Sequence, residues 1–138
     1  MATTTPEERA QAAKMRSGES GGGGAGLMLD PTRFPPVEIE MGTQKYVLIK
    51  LLIEPTQYLV RGNCDAEYHK DAAHATVQRL QQDSIGYDVL GGGRIQADAK
   101  AIKIFGFSYG FPWNGSARHD IAAELIKWAY PDAAVETS

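Results

Sequence analysis

Residues 44–53, QKYVLIKLLI, constrain the fold more than any other segment of this chain. The run is apolar and rich in residues that favour strands, and it is the strongest strand signal in the sequence. Before it, residues 37–41 (VEIEM) alternate apolar and acidic side chains, as a half-buried strand does, and Gly42-Thr43 is typical of a turn. After the break EPTQ, residues 58–62 (YLVRG) indicate another apolar strand. The folded part is therefore predicted to begin with β-structure.

Two helices and further strands are predicted after these segments. Between residues 68 and 83, apolar side chains recur every three or four residues, which indicates a helix with one apolar stripe. The strand YDVLGGGRIQAD is interrupted by three glycines, which is typical of a bulge or a close backbone approach. Residues 101–110 alternate again, Ser116 fits the N-cap of a helix over 117–130, and AAVETS adds a last short strand. Two helices among five or six mostly hairpin-connected strands predict an α+β or mixed α/β sandwich.

The first 33 residues look detached from this domain. Residues 18–26 (GESGGGGAG) form a glycine-rich run that predicts a flexible tether. A phosphate-binding P-loop is not indicated, because no Gly-Lys-Ser/Thr follows the glycines. Residues 6–16 predict a short, frayed helix with little apolar surface to dock. We therefore expect a flexible, disordered extension over residues 1–33 and one folded domain over residues 34–138.

Composition narrows the class of protein. The chain has 138 residues, of which 43% are hydrophobic and 22% charged, as in an ordinary globular domain. A net charge of −3 argues against broad binding to nucleic acid or to an anionic membrane, although a small cationic pocket remains compatible with it. The single cysteine, Cys64, predicts no disulfide and a reducing compartment. With neither a signal-like segment nor a long apolar run, we expect a soluble cytoplasmic protein.

Two of the three histidines lie in the segment CDAEYHKDAAH, which raises the question of a metal site. His69 and His74 are five residues apart, which places them about 140° apart around a helix. Zinc-binding helices use a spacing of four, so that both imidazoles face the metal. There is also no cysteine pair that would complete a ligand set. The sequence therefore predicts neither a metal site nor a metal cofactor.

The three histidines differ in what their positions indicate. His74 falls inside the first helix beside alanines, and His119 lies in the first turn of the second helix, where the helix dipole favours neutral imidazole. Structural roles are expected for both. His69 lies at the mouth of a helix, after a loop that leaves a strand, where functional side chains are common. Its pKa suits general-base or nucleophilic work at neutral pH, but a solvated histidine near an N-cap fits the pattern as well.

A second group of polar residues lies at the ends of predicted strands. A loop follows the strand that ends near residue 108, and backbone N–H groups in such loops, with a hydroxyl nearby, can bind oxyanions. The loop residues are Ser108, Tyr109 and Gly110. Three cations stand at strand ends: Lys45, Arg61 and Arg94. Taken singly, each cation is accounted for by solvation of a strand end.

Four motifs in this order and spacing join these residues: KYVLIK, VRG…AEYH, LGGGRI and FSYG. Over roughly residues 37–135 the chain resembles the Janus/ocnus family of small (14 kDa-type) protein-histidine phosphatases. The combination of AEYH with GGGRI is specific, whereas either motif alone is weak. The resemblance implies a single mixed α/β domain with a central mixed sheet flanked by two helices. It also implies hydrolysis of the phosphoramidate P–N bond of phosphohistidine, with no metal and no cofactor.

The resemblance also implies roles for individual residues. His69 corresponds to the catalytic histidine, and Lys45 to a lysine that contacts substrate. The phosphate-binding loop corresponds to Ser108, Tyr109 and Gly110. Of Arg61 and Arg94, one is expected to shape the site electrostatically and the other to be largely structural.

This chain departs from the family pattern next to the loop serine. Phe107 stands where the family often has tyrosine, which removes one hydroxyl. The serine is followed by YGFPW instead of a small residue and an aromatic-Gly pair, and Pro112 has no N–H with which to bind an anion. The altered loop reshapes the rim where a protein substrate would land. The glycine-rich extension is also untypical of the family.

Several readings of the function remain open at this stage. His69 could take a proton from an attacking water, or attack phosphorus and form a transient phosphohistidine. The alternatives to a phosphatase acting on histidine-phosphorylated proteins are a non-catalytic phosphoprotein-binding module of the same fold and a small-molecule phosphoramidate hydrolase. A monomer is expected, because no long exposed apolar edge or heptad repeat is present.

Overall fold

A computed structural model of the protein describes residues 5–18 and 31–138. The helices are Pro6–Met15 (α1), His69–Gln82 (α2) and His119–Ala129 (α3). The strands are Ser17–Gly18 (β1), Val37–Glu38 (β2), Gly42–Leu51 (β3), Gln57–Asn63 (β4), Tyr87–Ala97 (β5), Ala101–Phe105 (β6) and Ala134–Thr137 (β7). None of the helices in these two ranges is long and apolar enough to cross a membrane.

All the strands belong to one mixed sheet. Its order is β2-β4-β3-β5-β6-β7, and β1 pairs with β5 beside this path. The pairs β3–β4, β3–β5 and β5–β6 are antiparallel, whereas β2–β4 and β6–β7 are parallel. The run QKYVLIKLLI supplies most of β3, which lies between β4 and β5 and is almost wholly buried. The central mixed sheet is therefore confirmed.

Alternating side chains of the sheet build two apolar layers. The face of Val47 and Ile49 packs against α1 and α2, through residues such as Ala73 and Val77. The opposite face packs against α3; its residues include Leu48, Ile95, Ala122 and Ile126. Two helices flanking the sheet were predicted, and α1 joins α2 on the first face. The site described below lies on the face covered by α1 and α2.

Several segments differ from the predicted ones. Gly42-Thr43, predicted as a turn, begins β3, and the strand predicted to end near residue 108 ends at Phe105. The glycine-interrupted strand is one continuous strand, β5, with its register shift opposite Leu48 and Ile49. The strand predicted over 37–41 is only Val37–Glu38. Helix α3 begins at His119 with Arg118 as N-cap, so the prediction of Ser116 as the cap was wrong. The chain is still turning before it, since Gly115 has a φ of 91°.

The N-terminal helix forms as predicted but packs more closely than expected. Thr5 caps it by accepting the N–H of Glu8 at 3.1 Å, and Pro6 occupies the first turn. Ala12 is 2% exposed, because its methyl group is small enough to let α1 approach the domain. The predicted glycine-rich tether falls mostly on residues 19–30, which lie outside the described residues. The domain boundary at residue 33 stays a prediction.

The glycine at position 93 is expected to be indispensable for pairing β5 with β6. A Cβ atom there would lie 2.5 Å from the carbonyl oxygen of Phe105, a backbone atom that can move only with its strand. Gly93→Ala should lower the free energy of unfolding by about 1–3 kcal/mol, measured by urea denaturation. Gly62→Ala is the matched control, because its Cβ would meet only the side chain of Gln44. Equal losses in the two variants would contradict this reading.

Candidate active site

His69 is the first residue of α2, and the local sequence fixes the start of that helix. The carboxylate of Asp71 accepts the N–H of Tyr68 at 2.9 Å, which satisfies a backbone donor at the helix N-terminus. An acidic side chain in the first turn is also favoured by the helix dipole. His69 is consequently held over β5, one of the inner strands of the sheet, and is only 8% exposed.

The imidazole of His69 has a defined tautomer. Its Nε2 lies 2.8 Å from the carbonyl oxygen of Gly93, which can only accept, so Nε2 carries the proton. Burial lowers the pKa of His69 to about 4; the bond to Gly93 opposes the shift, and the positive charges of Lys45 and Arg94 add to it. At neutral pH the ring is therefore uncharged, and Nδ1 keeps its lone pair.

The three consecutive glycines of β5 make room for the site. A Cβ atom on Gly92 would lie 2.8 Å from Cδ2 of His69 and 2.9 Å from Cβ of Ser108. Both side chains therefore approach the backbone of Gly92 where a larger residue would carry its Cβ atom. On the opposite face, Gly91 lies against the ring of Trp113. The close backbone approach predicted from the glycine cluster is confirmed.

Ser108 belongs to a loop that follows β6. It is 2% exposed, and its Oγ accepts the N–H of Phe111 at 3.1 Å. Phe111 is fully buried, which holds this turn against the domain. The N–H groups of Tyr109 and Gly110 donate to no other described residue, whereas the Tyr109 ring is 58% exposed and contacts Phe107. The loop therefore presents two backbone donors beside a buried hydroxyl.

Two cations share the sheet face on which His69 lies. Lys45 of β3 and Arg94 of β5 are directly paired across the antiparallel ladder, and both depress the pKa of His69 through their charge. Lys45 is half-buried and forms no hydrogen bond or ion pair with other residues in the described ranges. The imidazole therefore lies in a region of positive potential, and no carboxylate of the described residues pairs with Lys45.

Arg61 lies in a different environment. It is 3% exposed, and its Nε is 2.7 Å from Oγ1 of Thr76 and 2.9 Å from a carboxylate oxygen of Glu38. Its Nη1 donates to the carbonyl of Val60 at 2.9 Å. Burial lowers the pKa of Arg61 to about 10, although Glu38 opposes that shift. These contacts join β4 to α2 and β2. Of the residues expected in the site, only His69, Ser108 and Gly110 line the cavity beside His69.

The other two histidines, His74 and His119, have surroundings different from those of His69. His74 is exposed on α2. His119 bonds through Nε2 to the carbonyl of Gly106 at 3.0 Å and through Nδ1 to the hydroxyl of Tyr46, and burial lowers its pKa. No group of three or more His, Cys, Asp or Glu side chains suited to a metal ion occurs among residues 5–18 and 31–138.

Sequence reasoning missed the contribution of α1 to this region. The cavity beside His69 has a volume of about 10 Å³. It is lined by Glu8, Ala12, Tyr68, His69, Lys70, Ser108 and Gly110. Nζ of Lys70 lies 3.0 Å from a carboxylate oxygen of Glu8. The position of Lys70 next to His69 was the only local signal, because its partner is distant in sequence.

Comparison with known proteins identifies the family of the chain. A family model described as the Janus/Ocnus family (Ocnus) matches residues 31–134. The chain belongs to the Janus/Ocnus family. Within it, the 14 kDa phosphohistidine phosphatase of Sus scrofa is 38% identical over 117 residues, covering 77% of this chain and 90% of that protein. The Homo sapiens protein of the same name is 36% identical over 114 residues, covering 75% of this chain and 89% of that protein.

The Janus/Ocnus family also includes relatives with other names. Sex-regulated protein janus-A of Drosophila pseudoobscura pseudoobscura is 32% identical over 119 residues, covering 79% of this chain and 78% of that protein. The matched region contains His69, Lys45, Arg94 and the Ser108 loop, and the family match begins after α1 and β1. The helix that lines the cavity through Glu8 and Ala12 therefore lies outside the part of the chain that defines the family.

The ring of His69 is expected to resist protonation well below its ordinary range. In an NMR titration its Cε1–H resonance should show a midpoint near about 4 instead of 6.5, with assignment through His69→Gln. The unfolded chain binds this proton at a higher pH than the folded chain, so the stabilisation is present above 6.5 and is lost as pH falls towards 4. His69→Gln should flatten this part of the stability curve. A midpoint at 6.5 would contradict the buried, uncharged imidazole.

Proposed function

We propose that the protein hydrolyses the P–N bond of phosphohistidine in other proteins without a metal ion. The proposal rests above all on the imidazole of His69, which is buried, uncharged and held with Nδ1 unprotonated beside Ser108 and two cations. The names of the Sus scrofa and Homo sapiens relatives support the substrate class. Histidine-phosphorylated proteins are accordingly the proposed partners.

Binding of the phosphoryl group is assigned to charge and to backbone donors. Lys45 and Arg94 supply positive charge on the face of His69, and the N–H groups of Tyr109 and Gly110 are available to oxygen atoms. Fixed donors and charges of this kind stabilise a transferring phosphoryl group without reorganisation during the reaction. In this scheme Ser108 positions the loop, since its Oγ already accepts the Phe111 N–H.

In this proposal His69 acts either as a general base or as a nucleophile. As a general base, Nδ1 takes a proton from water while the water oxygen bonds to phosphorus and the substrate P–N bond breaks. The electron pair of that bond stays on the substrate imidazole, which leaves neutral because its other ring nitrogen is protonated, and inorganic phosphate is released. As a nucleophile, Nδ1 bonds to phosphorus while the substrate P–N bond breaks and the same imidazole leaves; water then cleaves the new P–N bond and releases inorganic phosphate. In both routes the Gly93 carbonyl accepts from Nε2 and stabilises the positive ring that forms.

A phosphoprotein-binding module without turnover is a second candidate. The feature that favours it is the altered rim after Ser108, where the run YGFPW includes Pro112, which has no N–H with which to bind an anion. Such a module would bind a histidine-phosphorylated protein through the same cations and release no phosphate. The experiment below separates the two candidates.

The proposal extends to the oligomeric state and the cellular location of the protein. The edges of the sheet are β2, with two residues, and β7, with four, and such short edge strands disfavour pairing between copies. We infer a monomer from these edges. The exposed free thiol of Cys64 suits a reducing compartment, and the cytoplasmic location stays an expectation.

Release of phosphate from a histidine-phosphorylated protein, measured with chelator present, tests the function. His69→Ala should lower kcat by at least about 10²-fold, because loss of a general base removes that much. His74→Ala is the matched control on the exposed side of the same helix and should keep wild-type activity. Wild type that binds the phosphoprotein but releases no phosphate would favour the binding module. Activity that disappears with chelator would contradict metal independence.

Substitution of the two arginines of the VRG and GGGR motifs should affect different quantities: the free energy of unfolding for Arg61 and phosphate binding for Arg94. Arg61→Gln removes buried charged hydrogen bonds and should lower the free energy of unfolding by about 2 kcal/mol, with little effect on inhibition by inorganic phosphate. Arg94→Gln should weaken phosphate inhibition about tenfold. Urea denaturation and the phosphate inhibition constant measure the two effects. Weakened phosphate binding with unchanged stability in Arg61→Gln would return Arg61 to the site.

A further inference from the structure

We propose that the N-terminal helix α1 is an intramolecular cover of the active site, which a histidine-phosphorylated protein must displace. The inference rests on the function proposed above, since it concerns access to His69. It starts from the composition of the cavity wall, to which α1 contributes Glu8 and Ala12. The opposite wall carries His69 and the Ser108 loop.

The middle of α1 packs directly on the proposed phosphate-binding loop. Ala12 is 2% exposed, and a Cβ atom added to Gly110 would lie 2.9 Å from its methyl carbon. The N–H of Gly110 is one of the two donors proposed for phosphoryl oxygens. The helix therefore lies against the same loop that a substrate would use.

The first turn of α1 places the carboxylate of Glu8 next to the ammonium group of Lys70, the residue after His69. A carboxylate oxygen of Glu8 is 3.0 Å from Nζ of Lys70, and this pairing raises the pKa of Lys70. Both side chains are about four-fifths buried, with exposures of 21% and 19%. A phosphoryl dianion and a carboxylate compete for the same cation, so Glu8 occupies a position that substrate charge could take over.

The end of α1 is attached to the sheet independently of these contacts. Nη2 of Arg16 donates to the carbonyl of Pro112 at 2.7 Å, and the backbone carbonyl of Arg16 accepts the N–H of Val89 at 2.6 Å. Directly after it, β1 pairs with β5, with Ser17 opposite Asp88. Opening therefore requires the helix to leave the loop while its C-terminal end stays joined to the sheet.

The cavity between α1, His69 and the Ser108 loop is too small to admit a phosphoryl group from the side of α1. Its volume of about 10 Å³ is no more than the space that one water molecule occupies. A phosphoryl group carried on a protein side chain is several times larger. Few side chains hold α1 on the site: the Glu8–Lys70 ion pair, the buried methyl group of Ala12 and the partly buried Met15. The cover is thus closed at rest, and its opening breaks a small number of contacts.

Accessibility of the His69 ring tests the cover without relying on turnover. The full chain and its variants are treated with diethyl pyrocarbonate, and acylation of His69 is followed by peptide mass spectrometry, with exposed His74 as the internal reference. Ala12→Glu places a charge in the buried contact and should raise the rate at His69 at least about tenfold. Ala13→Glu, the same change on the exposed side of α1, should leave the rate within about twofold.

A second pair of variants avoids any change in buried volume. Glu8→Gln removes the ion pair with Lys70 and should raise the acylation rate of His69 by up to about fivefold, whereas Glu7→Gln on the exposed side should not. Both opening variants should also lower KM for the histidine-phosphorylated protein. Equal acylation of His69 in wild type, Ala12→Glu and Glu8→Gln would overturn the cover. Enhanced acylation in a protein that releases no phosphate would keep the cover and count against the phosphatase.

Discussion

The hydrogen bond from Nε2 of His69 to the carbonyl of Gly93 governs the site, and it exists because β5 carries no side chains there. Gly92 allows the imidazole and Ser108 to meet over the backbone, and the bond fixes which nitrogen remains free. Burial then keeps the ring uncharged. A side chain at position 92 would overlap both His69 and Ser108, and moving the histidine away from the strand would break the bond that fixes its tautomer.

The same glycine run serves both faces of the sheet. Gly92 faces His69, while Gly91 and Gly93 lie under Trp113 and His119 on the side of α3. Trp113 also donates from its indole to the carbonyl of Gly92 at 3.0 Å. One layer of backbone thus separates the imidazole of His69 from the aromatic rings of Trp113 and His119. The position of the site depends on packing that is remote from any substrate.

Much of the sheet and α2 could be predicted because their signals are local. The apolar run of β3 and the three-to-four spacing in α2 identify those elements within a few residues. The start of α3 was misplaced because a serine that could cap a helix is followed by a chain that is still turning. The docking of α1 depends on one alanine and one long-range ion pair, which leave no periodic pattern in the sequence. The motif resemblance identified His69, whereas only the register and contacts of the sheet distinguish Arg94 from Arg61.

A covalently attached cover has a consequence for how substrates are ranked. Because β1 joins α1 to β5, the helix returns to the loop without diffusing, and it competes at a fixed effective concentration that for short connections is in the millimolar range. Dilution of the protein therefore does not relieve the competition. Each phosphoprotein must meet the same threshold, so the covered site would favour partners that add contacts of their own around the phosphohistidine over free phosphorylated small molecules.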